Sequence, residues 1–139
     1  MKKIILTTIV CFFLSLIGYA QNSSLDKFFD KHAESEGVIY IFNGDGKCLY
    51  KCLPADLKKV LNSVKFSKQL SSREFDTGII KELKKLLMNE NYELTKRIKN
   101  DRTNLETYQK ISENNDFEQI TLATTSSTAQ IRWISGKMK

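Results

Sequence analysis

Cys48, Cys52 and His32 are the residues beyond position 20 whose types are best suited to redox or metal chemistry. Two thiols at this spacing could form a redox-active pair, or supply two soft metal ligands with His32 as a third. The pattern C-x-x-x-C is neither the thioredoxin-type C-x-x-C nor a four-ligand zinc arrangement, so it is a weak signal. On a helix the i,i+4 spacing brings the two side chains together; on a strand it separates them by ~13 Å, beyond disulfide reach. Cysteine is most often buried as a small apolar residue, and that is the reading adopted for both thiols. A structural disulfide comes next. His32 is the only histidine and falls on the apolar stripe of the first helix, one turn from Phe28 and Glu36. A general base needs a nucleophile or an acid within reach, and no sequence neighbour supplies one. The expectation is a half-buried structural histidine.

Other residues that resemble sites reduce to structure. Asn43-Gly44-Asp45-Gly46 echoes a calcium loop, but the EF-hand register puts Ile41 and Cys52 at the terminal ligand positions, and neither coordinates calcium. The segment is also too short for a phosphate-binding loop and lacks its Lys-Ser/Thr ending. It reads as a turn. Trp133 and Tyr108 could be surface binding aromatics, with core or cross-strand packing the stronger expectation. No catalytic constellation emerges, and neither a metal site nor a cofactor site is expected.

Ser23 caps a first helix, with Asp26 three residues on, and Leu25, Phe28, Phe29, His32 and Ala33 recur on one face. Gly37 stops it in a left-handed conformation. Val38 to Phe42 is a continuous apolar run, read as a strand buried on both faces. Lys47–Leu53 can be a second hairpin strand or a helix ended by Pro54, and local turn chemistry favours the hairpin. A short helical segment from Pro54 to Leu61 precedes a strand over Ser63–Leu70, with Val64 and Phe66 on one face. Ser71 and Ser72 are the expected caps of the longest helix. Its buried stripe is Phe75, Ile79, Ile80, Leu83, Leu86 and Leu87, with Lys81, Glu82, Lys84 and Lys85 in water. Strands over Tyr92–Ile98, Leu105–Ile111, Phe117–Thr124 and Thr128–Ile134 follow, joined by short polar turns. The expected fold class is α+β: a mainly antiparallel sheet with a C-terminal four-strand meander and helices packed on one face.

Residues 1–20 read as a cleavable signal peptide: Lys2 and Lys3, an apolar run from Ile4 to Ile17, then Gly18-Tyr19-Ala20. The run is shorter than the ~20 residues of a membrane span, and no basic stop-transfer cluster follows. Lipidation at Cys11 is disfavoured because Val10 is not the small residue such a site wants. Residues 21–139 then make a single α+β domain with no transmembrane segment after cleavage. The formal net charge of +6 would suggest nucleic acid for a cytosolic protein. Export turns that attraction towards anionic envelope surfaces, and nucleic acid is not expected as a partner.

With its elements in this order, the chain resembles domain of unknown function 4252, a family of small exported bacterial proteins. The landmarks are Leu25 through Lys31, Glu36-Gly37-Val38, the Lys47–Pro54 segment, Val64–Phe66, Tyr92-Glu93-Leu94 and the Ile131–Gly136 ending. They span nearly all of residues 21–139. The Asn43–Gly46 turn looks like an insertion relative to the family, and relatives usually continue past Lys139. The resemblance implies a helix at Lys47–Leu53, against the local preference, and an envelope protein with no assigned catalytic or ligand residues. The expectation is therefore an exported cell-envelope protein (periplasmic, outer-membrane associated or secreted), acting as a non-catalytic binding or interaction module for an envelope protein or surface. The alternative is a thiol-based redox or metal-binding protein using Cys48 and Cys52, with His32 as a further candidate ligand.

Overall fold

A computed structural model describes residues 23–73 and 77–139. The expected signal peptide and Phe75 lie outside the described residues. Among the described residues ten elements follow one another: α1 (Ser24–Ala33), β1 (Val38–Asn43), α2 (Gly46–Lys51), α3 (Ala55–Val60), β2 (Leu61–Ser72), α4 (Thr77–Asn89), β3 (Glu93–Lys99), β4 (Thr103–Ile111), β5 (Asp116–Thr125) and β6 (Ala129–Met138). The strands form one antiparallel sheet in the order β1-β2-β6-β5-β4-β3. The fold is α+β, and its last four strands are the expected meander. Each of its turns is short because antiparallel neighbours need only a few residues to reverse direction.

Alternation along the strands divides the sheet into two faces. One face carries Leu70, Tyr108, Ile120, Leu122, Ile131 and Trp133, and it packs under Leu25, Phe28 and Phe29 of α1 and Leu83 and Leu87 of α4. Trp133 sits among Phe29 and Phe66, with ring centroids 5.5 and 5.0 Å away. Each of these large side chains contributes roughly 1.5–3 kcal/mol through loss of water contact. Trp133 and Tyr108 are therefore core residues, as the packing expectation had it. The opposite face bears a smaller cluster of Leu61, Val64 and Phe117, covered by Leu49, Tyr50, Leu53 and Leu57 from the α2–α3 segment. The two long helices share one face, while the two short ones shield one end of the other.

Two irregularities in the β2–β6 ladder, between Leu61 and Ser63 and between Val64 and Phe66, explain how β2 serves both clusters. An extra residue in one strand reverses which way the next side chain points. Val64 thus joins the small cluster and Phe66 the large one. The expectation that these two share a face is corrected here, because period-two reading assumes an unbroken ladder. Ser71 and Ser72 are also reassigned. They are strand residues, paired with Ile39 and Val38 on one side and Gln130 and Ala129 on the other, rather than caps of α4.

Candidate interaction surface

The Gly37 turn, at φ +79°, ends the α1 connection and launches β1 at the margin of the sheet. β1 pairs only with β2, so alternate backbone N–H and C=O groups along its outer side have no ladder partner among the described residues. Ile39, Ile41 and Phe42 are 63%, 51% and 56% exposed. This overturns the expectation of a strand buried on both faces. A continuous apolar run is compatible with a central strand or with an uncovered edge, and periodicity does not distinguish them.

The opposite margin, β3, is protected differently. It carries Glu93, Lys96, Arg97 and Lys99, and its ladder with β4 is interrupted between Leu94 and Lys96. Charges and bulges are the usual devices that keep an edge from pairing with another chain. β1 has neither: the sequence Val-Ile-Tyr-Ile-Phe-Asn is uncharged, contains no proline, and pairs with β2 without a break.

Beside β1, on the face opposite α1, lies a cleft of about 270 Å³ between the sheet and the α2–α3 segment. Ile41, Leu49, Leu53 and Ile134 make its apolar wall; Ser67, Gln69 and Arg132 make its polar one. Arg132 Nη2 donates to Gln69 Oε1 at 3.3 Å, which orients the guanidinium along the sheet. Side-chain capping places α2 against this wall. Asn43 Oδ1 accepts from the Asp45 N–H at 2.9 Å, and Asp45 Oδ1 accepts from the Cys48 N–H at 3.2 Å. The helix expected from the family resemblance is present, and the local preference for a hairpin is corrected. The Asn-Gly-Asp-Gly turn starts a helix through an aspartate cap, a role local rules also allow.

Cys48 lies on α2 and Cys52 at its C-cap; both are free and exposed, and Cys52 borders the cleft. The buried-thiol reading is therefore wrong for both. A short helix carrying only half-buried Leu49 and Tyr50 towards the sheet, with Leu53 just past its end, leaves the rest of its circumference in water. His32 is on the other side of the sheet. It is 6% exposed, packs on the Phe28 ring at 4.5 Å, and its Nε2 lies 3.2 Å from Glu82 Oε2 on α4. It is packed into the core, more deeply than the half-buried position expected. Glu82, read from sequence as facing water, also accepts from Lys31 Nζ at 3.1 Å. Desolvation pushes its pKa up, but the Lys31 and His32 contacts outweigh this and hold it below 4.5. The three weak metal candidates are thus not brought together, and no group of three or more His, Cys, Asp or Glu able to hold a metal occurs among the described residues.

A second polar cluster lies under α4. Glu106 is buried on β4, accepts from Tyr108 Oη at 2.5 Å and Lys84 Nζ at 3.3 Å, and has Arg97 Nε at 3.7 Å. Burial acts to raise its pKa, yet these donors and charges hold it below 4.5. Burial and the bond to Glu106 push the Tyr108 phenol up to about 12. Nearby, Tyr92 Oη donates to Glu118 Oε2 at 2.6 Å, and burial first, then Glu118, raises its pKa further still. Sequence reading missed both clusters: Lys84, Arg97 and Tyr92 reach their carboxylates from distant parts of the chain, and the Glu106–Tyr108 pair has only the ordinary i,i+2 spacing of one strand face. Each carboxylate here is matched by donors, which suits pinning of elements better than proton transfer.

No family model, curated protein or solved structure matches the chain. No helix among the described residues is long and apolar enough to cross a membrane.

Proposed function

We propose that this protein is an exported module of the bacterial cell envelope that binds by strand addition at β1 and catalyses no reaction. One observation supports this above the rest: β1 is an uncharged, unbroken apolar edge, whereas β3 at the other margin is charged and bulged. In strand addition the main chain supplies hydrogen bonds, and pockets for alternate side chains supply selectivity. The cleft next to Ile41 is such a pocket, with Arg132 at its rim. The leader-like residues 1–20 and the family resemblance support the envelope setting.

The test is affinity capture from envelope extract with the wild-type protein and I41K, both checked for native circular dichroism. A lysine beside the free edge opposes pairing in the way native edges use it. A specific partner held by the wild type and lost with I41K is the expected result. Equal capture by both proteins removes β1 as the binding edge.

A thiol-based reading draws support from the exposure of both Cys48 and Cys52 on one short helix. Glutathione disulfide would accept the two electrons as an intramolecular Cys48–Cys52 disulfide forms, releasing two glutathione thiols. Titration against glutathione redox buffers, with a free-thiol count at each ratio, decides this. If both thiols stay reduced in the most oxidising buffer, or form only mixed disulfides with glutathione, the pair has no redox role.

A further inference from the structure

We propose that the segment that pairs with β1 is β1 of a second copy of this chain, joined about a two-fold axis in the register where Tyr40 faces Tyr40. The inference deepens the strand-addition reading and rests on it. Opposed residues of an antiparallel pair lie on the same face of the sheet, so a symmetric pair must be centred on a residue. With the centre at Tyr40, Ile39 opposes Ile41 of the second copy, Val38 opposes its Phe42, and Asn43 opposes its Gly37. The three most exposed apolar side chains of β1 then all meet apolar neighbours. The polar Asn43 is matched with a residue that has no side chain.

Centring on Ile41 instead opposes Ile39 to Asn43 and leaves Val38 outside the strand, so the Tyr40 register is preferred. Charge agrees with this choice. β1 contains no charged residue, and the flanking Glu36 and Asp45 fall opposite Gly44 and Ser35 rather than opposite each other. An isologous contact needs a surface complementary to itself, and this six-residue strand provides one on both faces of the sheet. β3 cannot form the equivalent pair without a break, because its ladder is interrupted between Leu94 and Lys96.

The closing experiment is sedimentation of the protein expressed from its full coding sequence, alongside I39K/I41K and I39K/I41E. In the proposed register the first variant sets like charges against each other twice across the two-fold. The second sets unlike charges against each other twice. Expected are a reversible wild-type dimer of twice the monomer mass, a monomeric I39K/I41K and a retained I39K/I41E dimer. Cross-linking provides a readout without added charge. In a C48S/C52S background, I39C mixed with I41C should form a disulfide dimer, and each alone should not.

A wild type that stays monomeric while still capturing a partner through β1 overturns the second copy and leaves strand addition standing. A dimer unaffected by either charge variant rejects β1 as the contact. Loss of the dimer in both charge variants, with no mixed cross-link, rejects the register.

Discussion

Glu106 is a buried carboxylate whose surroundings explain both its charge and its place in the fold. Tyr108, Lys84 and Arg97 supply its hydrogen bond and its positive field, so ionisation costs less in the folded chain than in the unfolded one despite burial. Replacement by glutamine, which keeps the size and removes the charge, is expected to lower stability by about 2 kcal/mol at neutral pH. The pH dependence has a definite sign. A carboxylate whose folded pKa is depressed contributes its full stabilisation above the ordinary value of 4.5. That contribution disappears as pH falls through the lower folded value. Urea denaturation of wild type and E106Q should therefore show a gap at neutral pH that closes in acid; an equal gap at about pH 3 would assign the loss to packing instead. Lys68 shows a related economy. Its ammonium lies 2.8 Å from Asp26 Oδ1 and within 5.3–5.9 Å of the Trp133, Phe66 and Phe42 ring centroids, tying α1 to the sheet through charge and aromatic faces together.

Among the elements, α2 approaches the sheet closely at Gly46. A Cβ at Gly46 would collide with the Val64 carbonyl oxygen, a backbone atom that cannot rotate away, whereas one at Gly44 would meet only the Phe42 ring edge at 3.3 Å. G46A is expected to cost about 1–3 kcal/mol, as overpacking against backbone does, and G44A distinctly less. Thermal denaturation of the two variants provides the check, and equal losses would show that α2 does not dock this closely at Gly46. The same element marks how far sequence reading reached. The helical stripes of α1 and α4, the Ser23 cap, the left-handed Gly37 and the meander turns were legible because each depends on residues a few positions apart. Asn91 likewise ends α4 at φ +64°, with the Tyr92 N–H reaching the Leu87 carbonyl at 2.9 Å. What was not legible depends on neighbours distant in sequence. β1 looked central because apolar runs do not state their position in a sheet. Val64 and Phe66 looked co-facial because a bulge leaves no period of its own. Glu82 does face water, but its contact with His32 was hidden because the two lie on different helices. Cys48 and Cys52 looked buried because composition cannot reveal how little of α2 the sheet covers.

At the scale of the whole molecule, β6 holds the two halves together. It lies between β5 of the meander and β2 of the N-terminal part, and it supplies Trp133 and Ile131 to the main core and Ile134 and Met138 to the smaller one. A chain ending at Thr128 therefore loses the seam rather than a margin. It is expected to lose cooperative unfolding altogether, with circular dichroism melts turning featureless. A truncated chain that still melts sharply would mean that one half is stable on its own.

The position of β6 also bears on time. β6 follows β1 to β5 along the chain yet lies between β2 and β5, so until it is in place β2 lacks its inner neighbour and the core lacks Trp133. Contacts between distant parts of a chain form slowly because the intervening segment must first be closed into a loop. Here the β2–β6 pairing closes the segment between Ser72 and Ala129, which holds α4 and the first three meander strands. Docking of β6 against β2 is therefore expected to come late in folding, joining the two halves and enclosing the tryptophan in one step.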